Sequence, residues 1–359
     1  MPLPSWVPIR EDLRGFEPYG APQLPGLIGL NVNENPYAPS EAVADDIAAA
    51  VRAAALGLNR YPDREAVELR ERLAQYLGHG LSAQNVWAAN GSNEVMLQIL
   101  QAFGGPGRAA VSFAPTYSMY PEYARDTHTR WVTGRRAEDF SVDPQEAVEL
   151  IKAEQPDVVL LTSPNNPTGT ALPLSTVEEV LEVAPGVVVV DEAYAEFRRA
   201  GTPTALELLD THPRLLVTRT MSKAFALAGG RLGYVAADAA IIDALRIVRL
   251  PYHLSAVTQA AATAALAHAD ELLAQVDALR EARDELAAWL GERGYAVAES
   301  DANFVLFGRF EDRHAVWQGL VDRGVLIRET GPEGWLRVSV GTPEEMNAFY
   351  TALMEVDPR

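Results

Sequence analysis

Apolar positions along the chain change period several times, and those changes predict its elements. Residues 1–30 keep no period: Pro18, Tyr19, Gly20, Pro22, Pro25 and Gly26 interrupt it, so the segment reads as an arm on the body of the protein or on a neighbour. An Ala-rich stretch between the candidate N-cap Ser40 and Gly57 predicts a helix, and a second is expected over 63–78, with Ala66, Leu69, Leu73, Tyr76 and Leu77 on one face. Short β-like runs follow at 86–89, 109–113, 130–132, 158–162, 187–190, 215–218 and 232–236. Helical patterns separate many of them, over 93–103, 144–153 behind Asp143, and 174–183. Runs such as the four valines at 187–190 suit strands covered on both faces by helices. The alternation predicts an α/β domain with a mainly parallel sheet.

Beyond about residue 250 the texture changes. An Ala-rich helical region and a long helix near 270–290 precede strands at 303–307, 325–327 and 336–340 and helices near 314–323 and from Pro343. The expected organisation is an arm over 1–30, a large domain over 31–250 and a smaller α+β domain over 251–359.

Charge narrows the function classes. Thirty Lys and Arg against 49 Asp and Glu leave a net charge of −19, which disfavours nucleic acid and anionic membrane surfaces as partners. No cysteine is present, so disulfides, thiolate metal sites and a cysteine nucleophile are excluded. The six histidines, at 79, 128, 212, 253, 268 and 314, have no zinc-binding spacing. Residues 1–15 hold Pro2, Pro4, Pro8, Glu11 and Asp12 and no apolar block, and no run approaches a membrane span. A soluble cytoplasmic protein is the expectation.

The chemistry-bearing residues sit where strands should end, which in open α/β sheets is where ligands bind. Gly91-Ser92-Asn93-Glu94 follows the first strand and opens a helix, offering N–H groups to a phosphate. Tyr117 follows the next strand, Ser163-Pro164-Asn165-Asn166-Pro167-Thr168-Gly169 follows the run ending at Thr162, and Asp191-Glu192-Ala193-Tyr194 ends the valine strand. Thr220-Met221-Ser222-Lys223 follows the run at 215–218, with Arg231 eight residues beyond Lys223. Taken singly these are ordinary loops, caps and turns; their order and shared location are what point to a site. P-loop, dinucleotide-binding and GxSxG patterns are absent.

Asn-Pro-Thr-Gly, Asp-Glu-Ala-Tyr and Ser-Lys with Arg eight residues later resemble the class I/II, fold-type I pyridoxal-phosphate aminotransferases, over nearly the whole chain from about Asn31. Within that group the chain is most similar to the histidinol-phosphate aminotransferase family. The residues of this narrower likeness include Leu30-Asn31-Val32-Asn33-Glu34-Asn35-Pro36, Arg60-Tyr61-Pro62, Pro115-Thr116-Tyr117, Ala302-Asn303-Phe304-Val305 and the run from Leu336 to Glu345. The resemblance implies a large domain with a mainly parallel mixed sheet flanked by helices, and a smaller α+β domain.

It also implies roles. Lys223 would hold the cofactor aldehyde as a Schiff base and carry the proton. Asp191 would pair with the ring nitrogen, Asn166 and Tyr194 with the ring hydroxyl, and Tyr117 would stack on the ring. Ser92, Asn93, Thr220, Ser222 and Arg231 would hold the phosphate. Tyr61 would reach the cofactor of a neighbouring subunit, making the enzyme a homodimer. Arg337, with Arg328, Tyr19 and Asn33, would face the substrate, a guanidinium matching carboxylate or phosphate oxygens. Pro18-Tyr19-Gly20-Ala21-Pro22 departs from the compact Pro-Tyr-x-Pro-Gly of the family, and Gly230 precedes Arg231 where Leu is common. The implied reaction exchanges an amino group between histidinol phosphate and 2-oxoglutarate. An aromatic amino-acid aminotransferase, a threonine-phosphate decarboxylase and a non-catalytic binding protein on the same fold stay open.

Overall fold

Valine and leucine runs that cannot face water on either side assemble here into one central sheet. The computed structural model describes Pro4 and residues 6–359; residues 1–3 and 5, at the start of the expected arm, lie outside the described residues. In chain order the elements are β1 (Ile28–Gly29), α1 (Glu41–Ala55), α2 (Val67–Leu77), β2 (Val86–Asn90), α3 (Gly91–Phe103), β3 (Ala109–Ala114), α4 (Tyr120–Asp126), β4 (Arg130–Arg135), α5 (Pro144–Glu154), β5 (Val158–Thr162), α6 (Leu174–Val183), β6 (Val187–Asp191), β7 (Leu215–Thr220), β8 (Leu232–Ala237) and α7 (Ala239–Val248). Then come α8 (Ala256–Ala267), α9 (Ala269–Glu292), β9 (Ala296–Val297), β10 (Phe304–Gly308), α10 (Arg313–Val321), β11 (Val325–Leu326), β12 (Arg328–Glu329), β13 (Trp335–Ser339) and α11 (Pro343–Val356).

The seven-stranded sheet has the order β2-β8-β7-β6-β5-β3-β4. Only β8 runs against its neighbours, so the sheet is mixed and mainly parallel, and β5, β6, β7 and β8 are buried along their whole length. Helix-covered faces explain that burial: Val95, Ile99 and Leu100 of α3 belong to the core on one side, and Val177 and Val180 of α6 to the core on the other. The carboxyl ends of β2, β3, β5, β6 and β7 therefore open along one edge.

A four-stranded sheet, β12-β13-β10-β9, lies in the C-terminal part, and β1 pairs in parallel with β11. That pairing ties the end of the arm to the C-terminal part and fixes the turn at Asn31, Val32 and Asn33. Among the described residues no helix is long and apolar enough to cross a membrane.

Several boundaries differ from expectation for local reasons. The second helix starts at Val67 because the Asp63 carboxylate accepts from the backbone N–H groups of Glu65 and Val67, while Ala66 is left-handed at φ 47°. The expected strand at 325–327 is two: Val325–Leu326 serves β1, and Arg328–Glu329 crosses to β13. Two helices were not legible as such, α4, which begins at Tyr120, and α7, capped by the Asp238 carboxylate.

Candidate active site

Backbone turns at the strand ends converge on one cavity of about 270 Å³. Lys223 follows β7 and projects into it, donating from Nζ to the Val32 carbonyl at 2.8 Å. Burial pushes the ammonium down to about 8, helped by Arg337 and Arg231 and opposed by Glu34. A lysine in that range supplies neutral amine near physiological pH.

Asp191 closes β6 and is buried. Its Oδ2 accepts from the Tyr120 hydroxyl at 2.8 Å, and its Oδ1 from Thr218 Oγ1 and the Ala193 N–H, each at 3.2 Å. Burial raises its pKa and these three donors pull it back. The next residue, Glu192, faces away and takes Arg219 at 2.7 Å and Thr204 at 2.9 Å, so a buried ion pair braces the strand end.

A third group of residues gathers at the N-terminus of α3. No side chain caps α3, so its first-turn N–H groups at Ser92 and Asn93 are available to an anion. Close approach favours glycine twice, beside the Arg231 side chain and beside the Ser92 backbone. A Cβ on Gly91, at φ +77°, would stand 2.6 Å from an Arg231 nitrogen, and one on Gly233 would stand 2.0 Å from the Ser92 nitrogen. Arg231 donates to Ser222 Oγ at 3.3 Å, and the Ser222 N–H donates to Thr220 Oγ1 at 3.1 Å.

Toward the small sheet, Arg337 is 6% exposed, donates to the Asn31 carbonyl at 2.7 Å and to Asn166 Oδ1, and leaves its Nε buried without a partner. Burial lowers its pKa to about 10. Arg328 stands opposite it in the antiparallel register of β12 and β13. Asn33, left-handed at φ 57°, donates from Nδ2 to the Tyr194 hydroxyl at 2.9 Å. Tyr117 donates to Asn93 Oδ1 at 3.3 Å, and Tyr19 accepts from Ser118 at 2.9 Å.

Ser92, Asn93, Tyr117, Asn166, Asp191, Tyr194, Thr220, Ser222, Lys223, Arg231, Arg328, Arg337, Tyr19 and Asn33 thus line a single cavity. Tyr61 does not: it is 79% exposed and stacks on Tyr252 with ring centroids 4.4 Å apart. Residues that sequence reasoning missed include Tyr120 behind Asp191 and Thr330 on the wall. Tyr120 opens α4, and its sequence neighbourhood carries no signal of the Asp191 contact, which only the packing against β6 creates.

The family of aminotransferases of class I and II matches residues 25–353. The chain belongs to that family. Similar curated aminotransferases include the histidinol-phosphate aminotransferase of Thermobifida fusca, 64% identical over 98% of this chain and 96% of that one. Histidinol-phosphate aminotransferase 3 of Burkholderia lata is 60% identical over 98% and 96%. Among solved structures, histidinol-phosphate aminotransferase from Sinorhizobium meliloti in complex with pyridoxal 5'-phosphate superposes with a TM-score of 0.82 at 28% identity, over 91% of this chain and 90% of that one. A Thermus thermophilus aspartate aminotransferase double mutant gives 0.80 at 25% identity, over 92% and 91%. The fold is that of fold-type I aminotransferases, as the motifs implied.

Aminotransferases of this class depend on pyridoxal phosphate, and the residues present fit it. The lysine is poised as an amine, a buried carboxylate lies at the sheet end, and a glycine-lined cradle with Arg231 suits a phosphate. Lys223, Arg231, Arg328 and Arg337 face a lining whose one carboxylate among the described residues is Asp191, so an acidic protein encloses a cationic chamber.

Proposed function

We propose that this aminotransferase exchanges an amino group between histidinol phosphate and 2-oxoglutarate, at a site completed by a second copy of the chain in a cytoplasmic homodimer. The observation that carries the substrate is the second cationic group. Arg231 and the α3 N-terminus serve one anion, and Arg328 and Arg337, facing each other across β12 and β13, leave an anion subsite for the substrate. The names of relatives at 54–64% identity agree with it.

Bound pyridoxal phosphate supplies an aldehyde that takes up the amino group and a ring that accepts the electron pair left when the substrate carbon loses its proton. Lys223 Nζ would hold the aldehyde, and its amine is the group that would move the proton at the substrate carbon. Asp191 holds a proton at the ring nitrogen. The Tyr194 hydroxyl accepts from Asn33, and so keeps its own hydrogen for the ring hydroxyl; Asn166 gives its oxygen to Arg337 and keeps its amide hydrogens for the same atom. Tyr117 would cover the ring face, and Ser92, Asn93, Thr220, Ser222 and Arg231 would hold the phosphate. Arg337 and Arg328, with Tyr19 and Asn33, orient the substrate. Tyr61, exposed here, reaches the neighbouring subunit's site. The division into an arm over 1–30, a large domain over 31–250 and a small domain over 251–359 belongs to the same reading.

Initial rates with histidinol phosphate, phenylalanine and threonine phosphate as donors test the substrate. A kcat/KM highest for histidinol phosphate supports it. Preference for phenylalanine, or release of CO₂ from threonine phosphate, would replace it.

A further inference from the structure

Tyr120 is the first residue of α4 and is fully buried. Its ring stands edge-on to Tyr117, with centroids 5.6 Å apart. Its hydroxyl donates to Asp191 Oδ2 at 2.8 Å and makes a second hydrogen bond, also 2.8 Å, with Thr162 Oγ1. The arginines at this strand end, Arg219 and Arg198, pair with Glu192 instead. Asp191 therefore has its charge set by two hydroxyls and one backbone N–H.

We infer that Tyr120 is a positioning residue that sets the basicity of Asp191, so that the shared proton stays on the cofactor ring nitrogen and not on the carboxylate. The inference rests on the reading that Asp191 pairs with that nitrogen. A hydrogen bond to a carboxylate stabilises the anion and makes it a weaker base. Burial works the other way at Asp191, and of the groups that oppose burial the Tyr120 hydroxyl is foremost, ahead of Thr218 and the Ala193 N–H. Glu192 adds to the upward push, and the phenols of Tyr117, Tyr123 and Tyr194 feel the Asp191 charge. Without Tyr120's hydrogen bond the carboxylate would hold the proton more tightly, the ring nitrogen would approach the neutral state, and the ring would accept electrons less well.

The test reconstitutes the wild type, Tyr120→Phe, Thr218→Val and Asp191→Asn with ring-¹⁵N pyridoxal phosphate and reads the nitrogen chemical shift, alongside Tm. Phenylalanine keeps the ring contact and removes one oxygen. The Tyr120→Phe signal should move toward that of neutral pyridine, with kcat down about tenfold and KM for 2-oxoglutarate within about twofold. Thr218→Val, which removes the longer hydrogen bond, should move it less in the same direction, and Asp191→Asn furthest. An unchanged signal in Tyr120→Phe overturns the inference; if that variant does not fold, an unchanged signal in Tyr120→Leu, which removes the same hydroxyl, does so. If Asp191→Asn also leaves the signal in place, the pairing of Asp191 with the ring fails, and the inference falls with it. If Asp191→Asn moves the signal and Tyr120→Phe does not, the role of Tyr120 alone is wrong.

Discussion

Removing the charge of Arg337 should make Lys223 a less reactive amine. An ordinary lysine titrating at 10.5 is neutral in about one molecule in 3,000 at pH 7, whereas one titrating at about 8 is neutral in about one in ten. The cavity thus provides about 300-fold more neutral amine at pH 7 than a surface lysine offers. Burial is the largest cause and Arg337 the next, while Glu34 acts in the opposite sense. Arg337→Gln should therefore raise the titration midpoint of Lys223 and slow its reaction at pH 7, on the order of fivefold for one like charge in a water-poor site. Glu34→Gln should lower the midpoint. The assay is competitive acylation of the cofactor-free protein across pH 6–11, with the Lys223 peptide quantified by mass spectrometry. A wild-type midpoint near 10.5, or both variants shifting it the same way, would refute the reasoning. The sign for stability follows from the same proton. The unfolded chain holds it more readily than the fold does, so this group's contribution is fully present above 10.5 and is lost as the pH falls through about 8. Thermal unfolding of the cofactor-free protein should show that slope.

Other outcomes are equally concrete. Gly233→Ala would press a Cβ against the Ser92 nitrogen at 2.0 Å, so cofactor affinity measured by equilibrium dialysis should fall at least about tenfold, and unchanged affinity would argue against the cradle. Tyr61→Ala and Lys223→Ala should each be inactive, while an equal mixture allowed to exchange subunits should regain about a quarter of wild-type activity, since one site in half of the dimers is whole. No recovery would put Tyr61 outside the neighbouring site. Arg328→Gln should raise KM for histidinol phosphate about tenfold with little change in kcat, the mark of lost substrate binding; an unchanged KM would remove Arg328 from the substrate subsite.

Much of this molecule was legible because its chemistry sits at predictable places. The runs 158–162 and 187–190 read as strands, and the polar motifs that follow them meet in the cavity because parallel strands deliver their carboxyl ends to one edge. What stayed hidden depends on partners distant in the chain. Ile28–Gly29 carries no strand signal of its own and becomes one only because Val325–Leu326 supplies its hydrogen bonds. Tyr120 reads as one more apolar residue until β6 brings Asp191 within 2.8 Å. Gly233 looks like a gap in a strand, yet it is what lets α3 meet β8 at Ser92. Net charge misleads in the same way: −19 describes the exterior, while the lining gathers Lys223, Arg231, Arg328 and Arg337.

The central claim is that this cavity takes the amino group from histidinol phosphate, and one half-turnover measures it. The protein loaded with pyridoxal phosphate is mixed with excess histidinol phosphate and no 2-oxo acid, and the keto product is counted per active site. The account predicts about one equivalent for the wild type and none for Lys223→Ala, as expected when the amino group stays on the enzyme until an acceptor arrives. No keto product from the wild type, under conditions where phenylalanine gives a full equivalent, would contradict it.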